Sequence, residues 1–211
     1  MAAFDFKKAY KDLYQPGTSP SLVTVPPLRF LAVRGAGDPN EPDGAYQRAL
    51  TLLYGVAYTL KMSYKTDRRI DGFFEYAVPP LEGFWHQAGV QGVDYGRKAD
   101  FHWISVIRLP DFVGEDDFRW AVETAAKKKK LDFSPVEMLT VDEGLCVQCL
   151  HVGPYDDEPA TVERMHRFCE AQGCVPDFSD RRLHHEIYLG DPRRGDPTKL
   201  RTVIRHPVRK R

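Results

Sequence analysis

Glu186 stands in the run His184-His185-Glu186-Ile187-Tyr188-Leu189, which reads as a β-strand. Alternation along a strand puts His184, Glu186 and Tyr188 on one face and turns His185 to the other. A carboxylate beside a phenol can hold and orient a water or a ligand cation. Aromatic walls that desolvate it would raise its pKa into the range of a general base or acid. These two residues, Glu186 and Tyr188, are the candidate catalytic pair; a solvated strand glutamate is the ordinary alternative. A similar run, Phe73-Phe74-Glu75-Tyr76-Ala77-Val78, makes Glu75 a candidate partner in the same site. Tyr155 follows the turn Gly153-Pro154, and Trp85, Trp103 and Tyr58 offer flat surfaces for a ligand, with core packing as the other explanation. Adjacent histidines on a strand diverge, and no third ligand follows from spacing, so no metal is expected. Cys146 and Cys149 point to opposite faces of a strand, and neither they nor Cys169 and Cys174 are expected to form disulfides. No nucleophile elbow, phosphate loop or dinucleotide fingerprint occurs, and Gly35-Ala36-Gly37 reads as a turn, so no cofactor is expected.

These residues belong to a pattern written twice. Val106-Ile107-Arg108-Leu109-Pro110 and Val203-Ile204-Arg205-His206-Pro207 read as one strand ending repeated. The order strand, helix, strand, strand recurs over residues 22–110 and 145–207, joined by a helix over about 115–130. In the first unit the strands are expected at 22–34 (interrupted at Pro26-Pro27), 72–78 and 101–109, with a helix at 45–61 and a Gly-rich connection at 79–98. In the second they are expected at 145–152, 183–189 and 200–206, with a helix ending near Ala171 and a loop at 191–197. An internal repeat fixes architecture before local assignments do. The expectation is one α+β domain over 1–211: a mostly antiparallel sheet, two tandem modules related by a pseudo-two-fold axis, helices on one side and a central ligand groove. The halves should superpose Glu75 near Glu186, with the groove on the face away from the helices.

The 211 residues carry 30 Lys+Arg against 30 Asp+Glu, so net charge gives no argument for nucleic acid or an anionic membrane. The run Lys127-Lys128-Lys129-Lys130 fits a helix C-terminus, and residues 205–211 read as a frayed basic tail. No segment has the roughly 18 apolar residues of a membrane span. Residues 1–14 lack a signal-peptide core, and the four cysteines suit a reducing compartment, so a cytoplasmic location is expected.

His151-Val152-Gly153-Pro154-Tyr155, His185-Glu186-Ile187-Tyr188-Leu189 and the terminal Val203-Ile204-Arg205-His206-Pro207-Val208 together resemble the GyrI-like small-molecule-binding family. The order and spacing of these motifs, with Phe74 to Trp85 and Trp103 to Val113 in the first half, are similar to its stand-alone bacterial branch. The resemblance implies paired strand–helix–strand–strand modules around a groove for a planar aromatic or amphipathic compound. Some stand-alone members hydrolyse the cyclopropane of DNA-alkylating natural products, which would make the chain a detoxifying hydrolase in which Glu186 activates water and Tyr188 orients it. A module that binds or senses drugs without turnover is the alternative, and a gyrase-inhibitor-like interaction protein a weaker one. Too few residues precede Leu22 for a helix-turn-helix.

Overall fold

The computed structural model describes residues 3–190 and 196–211. The chain opens with two single-turn helices, α1 (Phe6–Ala9) and α2 (Lys11–Tyr14). Module one follows: β1 (Ser21–Val25), β2 (Leu28–Ala36), α3 (Ala45–Lys61), β3 (Leu81–His86) and β4 (His102–Arg108). Helix α4 (Glu115–Lys129) leads to module two: β5 (Glu137–Val141), β6 (Gly144–Val152), α5 (Glu158–Ala171), β7 (Cys174–Pro176), β8 (His184–Tyr188) and β9 (Arg201–Lys210). The sheet runs β1-β6-β9-β8-β3-β4-β2-β5, with β7 on the end of β9, and its strand pairs are antiparallel. The modules meet where β3 pairs with β8, and this central seam positions the site. The loop expected at 191–197 lies largely outside the described residues.

The outer strands are exchanged between the modules. β1 pairs with β6 and β5 with β2 in one continuous register, from Ser21↔Gln148 through Val25↔Gly144 and Leu28↔Val141 to Ala32↔Glu137. Pro26-Pro27, which have no N–H to give a ladder, interrupt this ribbon without shifting its register.

Helix α3 buries Ala49, Leu53, Val56, Ala57 and Leu60 at helical spacing against Leu31, Val33 and Ile107. Helix α4 starts on three acidic residues and ends on Lys127–Lys129, both favourable to its dipole, and packs on α3. The other face of the sheet is covered by α1 and α2, where Phe6, Leu13 and Tyr14 close over Phe30, Ala32, Val106 and Val203. The groove therefore lies on the face that carries the long helices, beside α3, and not on the opposite face.

Beneath α1 and α2 lies a buried ionic network. His185 Nε2 meets Glu82 (3.0 Å) and its Nδ1 meets Glu143 (3.0 Å); Arg205 donates to Glu143 (3.1 Å) and to the Leu13 carbonyl (2.7 Å); Tyr14 donates to Glu82 (3.1 Å). Two carboxylates are thus matched by one guanidinium and one imidazole bonded to carboxylate at both nitrogens. Arg205 is 1% exposed on β9, so residues 205–210 are an inner strand and not a frayed tail.

Two expectations about module one change. Residues 72–78 make only a single bridge, Phe4↔Tyr76, and their aromatic rings pack on Phe4, Phe6 and Phe112. The strand beside β8 is Leu81–His86, inside the stretch expected to be a connection. Gly83 is the residue opposite Glu186. Glu75 is exposed and off the sheet, so it is not the counterpart of Glu186. Among the described residues no helix is long and apolar enough to cross a membrane, and all four cysteines are free.

Candidate functional site

A groove of about 1520 Å³ opens beside α3 over the β3–β8 seam and reaches the turn before α5. Tyr46, Tyr54 and Tyr58 line it from α3, Trp85, Glu186 and Tyr188 from the sheet, and Pro154 with Tyr155 from the turn before α5. Lys98, Lys128 and Lys129 also line it. It is large for a small-molecule site, where roughly 300–1,000 Å³ is usual, and suits a broad, flat ligand.

Glu186 sits in the floor, 6% exposed. Its Oε1 accepts from His184 Nε2 (2.8 Å) and its Oε2 from the Tyr188 hydroxyl (2.7 Å). Trp85 Nε1 in turn donates to the Tyr188 hydroxyl oxygen (3.0 Å). That approach needs Gly83 between them: a Cβ there would lie 2.6 Å from Trp85 Nε1 and 3.1 Å from the Tyr188 oxygen. Tyr155 meets the Tyr188 ring edge to face at 5.9 Å.

A second carboxyl, not foreseen, completes the site. Glu158 is the first residue of α5 and fully buried. Its Oε2 accepts from the Tyr95 hydroxyl (2.8 Å), and the carboxyl is also hydrogen-bonded to that of Glu186. Burial, then the Glu186 charge, push the Glu158 carboxyl well above the ordinary carboxylate range. Burial pushes Glu186 the same way, but the hydrogen bonds from His184 and from the Tyr188 hydroxyl outweigh it and hold Glu186 below that range. The two neighbours therefore hold a single proton between them, and it resides on Glu158. Burial and the Glu186 charge keep the Tyr46 and Tyr188 hydroxyls protonated.

Glu158, His184 and Glu186 can each bring one donor atom within 4.8 Å of the others. Two carboxylates and an imidazole are a usable ligand set for a divalent ion. In this structure His184 Nε2 is hydrogen-bonded to Glu186 Oε1.

The structure thus brings Glu186, Tyr188, Trp85, Tyr155 and Tyr58 to one groove, with His184 buried behind Glu186. Trp103 lies 2% exposed across Gly35, whose added Cβ would sit 2.2 Å from the indole, so it is core beneath the groove and not wall. Glu75 is elsewhere. Tyr46, Tyr95 and Glu158 were missed. Tyr46 lies at the start of the α3 apolar pattern, Tyr95 in a Gly-rich connection, and Glu158 reads as an ordinary dipole-matching residue of a first helical turn.

Comparison with known proteins identifies the family of the fold. The family model for the GyrI-like small molecule binding domain matches residues 18–209. An uncharacterized conserved protein from Listeria innocua is 45% identical, with a TM-score of 0.91 over 98% of this chain and 100% of that one. A hydrolase encoded by lin2189 from Listeria innocua is 44% identical, with a TM-score of 0.90 over 99% of this chain and 100% of that one. A further hydrolase from Listeria innocua is 43% identical, with a TM-score of 0.88 over 98% and 100%. No curated protein matches.

Proposed function

The chain belongs to the GyrI-like small molecule binding domain family, and we propose that its groove binds a planar compound bearing a strained, electrophilic ring and adds water to that ring. The cyclopropane of a DNA-alkylating toxin is the proposed substrate class. The observation that carries this reading is Glu186 in the groove floor, held by His184 and Tyr188, with the buried Glu158 carboxyl next to it. Glu186 takes a proton from a water as its oxygen attacks a ring carbon. The ring C–C bond breaks, its electron pair passes into the conjugated system, and the resulting phenolate is protonated by Glu158 through Glu186, its hydrogen-bond partner. Tyr188, already donating to Glu186, orients the carboxylate, while Trp85 and Tyr155 hold the flat ligand. Support comes also from the two relatives above that are named hydrolases.

A second reading, binding without turnover, is favoured by the same carboxylate: one buried negative charge under aromatic walls is a counter-charge for an amphipathic cation. Glu186→Gln separates the two. Gln keeps the shape but accepts no proton. Ring opening of a cyclopropane-bearing alkylator, followed by mass spectrometry in ¹⁸O-water, should slow about 10²–10⁴-fold, with binding of a neutral planar ligand retained. Turnover unchanged in Glu186→Gln, or changed only by chelator or added zinc, would refute the general-base role.

A further inference from the structure

We infer that His184, His206 and His166 form a proton relay linking the Glu186 carboxylate to solvent at the edge of α5. This rests on the reading of Glu186 as the base. The three imidazoles come from three elements, β8, β9 and α5, and stand in single file. His184 Nε2 is 2.8 Å from Glu186 Oε1, His184 Nδ1 is 2.6 Å from His206 Nε2, and His206 Nδ1 is 3.0 Å from His166 Nε2. Each inner ring uses both nitrogens, one toward the groove and one away from it. His184 and His206 are 1% exposed, whereas His166 is half-buried. The line therefore starts in the protein interior and ends near solvent.

The protons balance along it. With the carboxylate ionised, each ring carries its proton on Nε2, pointing toward Glu186, and each gap holds one hydrogen. A proton arriving at His166 Nδ1 lets the three Nε2 protons each move one place. His166 passes its proton to His206 Nδ1, His206 to His184 Nδ1, and His184 to Glu186 Oε1. The carboxylate becomes the neutral acid and every ring stays neutral, now protonated on Nδ1. The reverse shift returns the proton to solvent.

The surroundings suit transfer and not storage. His206 is packed by the Phe178 ring (4.9 Å) and the other two histidines. Burial and those neighbours depress its pKa well below the usual value, so no charge rests there. Tyr95 and Glu158 are the ionisable groups beside His184, and Glu170 acts on His166. A flat ligand lying on Trp85 and Tyr188 would seal Glu186 from water on the groove side. The relay gives that carboxylate a second exit, along the same sheet face beneath α5.

His166→Gln tests this, because Gln can still donate to His206 Nδ1 but cannot hand on a proton. In wild-type protein labelled with ¹⁵N-histidine, nitrogen–nitrogen couplings should appear across both ring–ring contacts. Protonating His166 should shift the His206, His184 and Glu186 signals in one step. In His166→Gln the fold and the His184–His206 coupling should persist, and ring opening of the alkylator should fall by about 10²-fold, the lower range for positioned proton transfer. Added imidazole should restore that rate, which a merely structural histidine would not permit. An unchanged rate, or a loss that imidazole does not rescue, overturns the relay. If instead Glu186→Gln leaves turnover intact, the general-base reading fails on its own. The titration then decides the relay: one shared step supports it and independent histidine steps overturn it.

Discussion

Glu186 and Glu158 divide one proton, and that division predicts the pH profile. Activity needs Glu186 ionised, and its pKa is held below the usual 4.5, so the acid limb should lie below pH 4.5. Activity also needs Glu158 protonated, and its pKa is raised, so the rate should fall as pH rises through that higher value. Glu158→Gln should abolish the alkaline limb and lower the plateau by about 10²-fold, measured as ring opening across pH. A limb that survives in the variant would remove Glu158 as the acid. Of this pair only Glu186 was legible in the sequence. Strand alternation ties Glu186 to Tyr188 and His184 locally. Glu158 reaches the site by the docking of α5, and nothing near it in the chain marks it as buried. Glu75 misled for the converse reason: its neighbours are aromatic, but those rings pack on Phe4, Phe6 and Phe112.

The strands and long helices were legible wherever periodicity was clean, as in α3, α4 and β8. β3 was not, because Pro79-Pro80 precede it and Gly83 interrupts it, both loop signals when read locally. Gly83 is there so that Trp85 can reach the Tyr188 hydroxyl. Beneath that seam, the His185 network ties β3, β8, β9 and the loop before β6 to α2. Burial lowers the His185 pKa, but the charge and hydrogen bonds of Glu143, with those of Glu82, outweigh it and hold it above the usual 6.5. Its contribution to stability is complete below pH 6.5 and lost as pH rises through the folded value. Burial raises Glu143, but His185 and Arg205 outweigh it and bring it down to about 2 from 4.5. That contribution is present above pH 4.5 and lost as pH falls toward 2. The network is thus strongest between about pH 4.5 and 6.5. His185→Gln takes the one imidazole from between two buried carboxylates, so urea denaturation should show a loss of about 3–5 kcal/mol and a flatter alkaline slope. A loss under about 1 kcal/mol would mean that the network does not hold the N-terminal helices.

At the scale of the molecule, the two modules were visible as a repeated order of elements. The exchange of β1 and β5 was not, since strand partners leave no local mark and residues 137–141 carry no clear alternation. The exchange predicts that the halves are not separable. A fragment of residues 1–114 should show little cooperative thermal unfolding by circular dichroism, and mixing it with residues 115–211 should restore a single transition. A cooperative transition in the first fragment alone would contradict this. The ribbon also constrains how the protein is born. β2 leaves the ribosome about 100 residues before β5, at roughly 5–20 residues per second, so for seconds the nascent chain offers an unpaired strand edge. Any second copy that supplies β5 first can pair there in the native register. Crowded translation of this chain should therefore yield strand-swapped dimers, whose fraction falls as synthesis is slowed and chains are spaced apart.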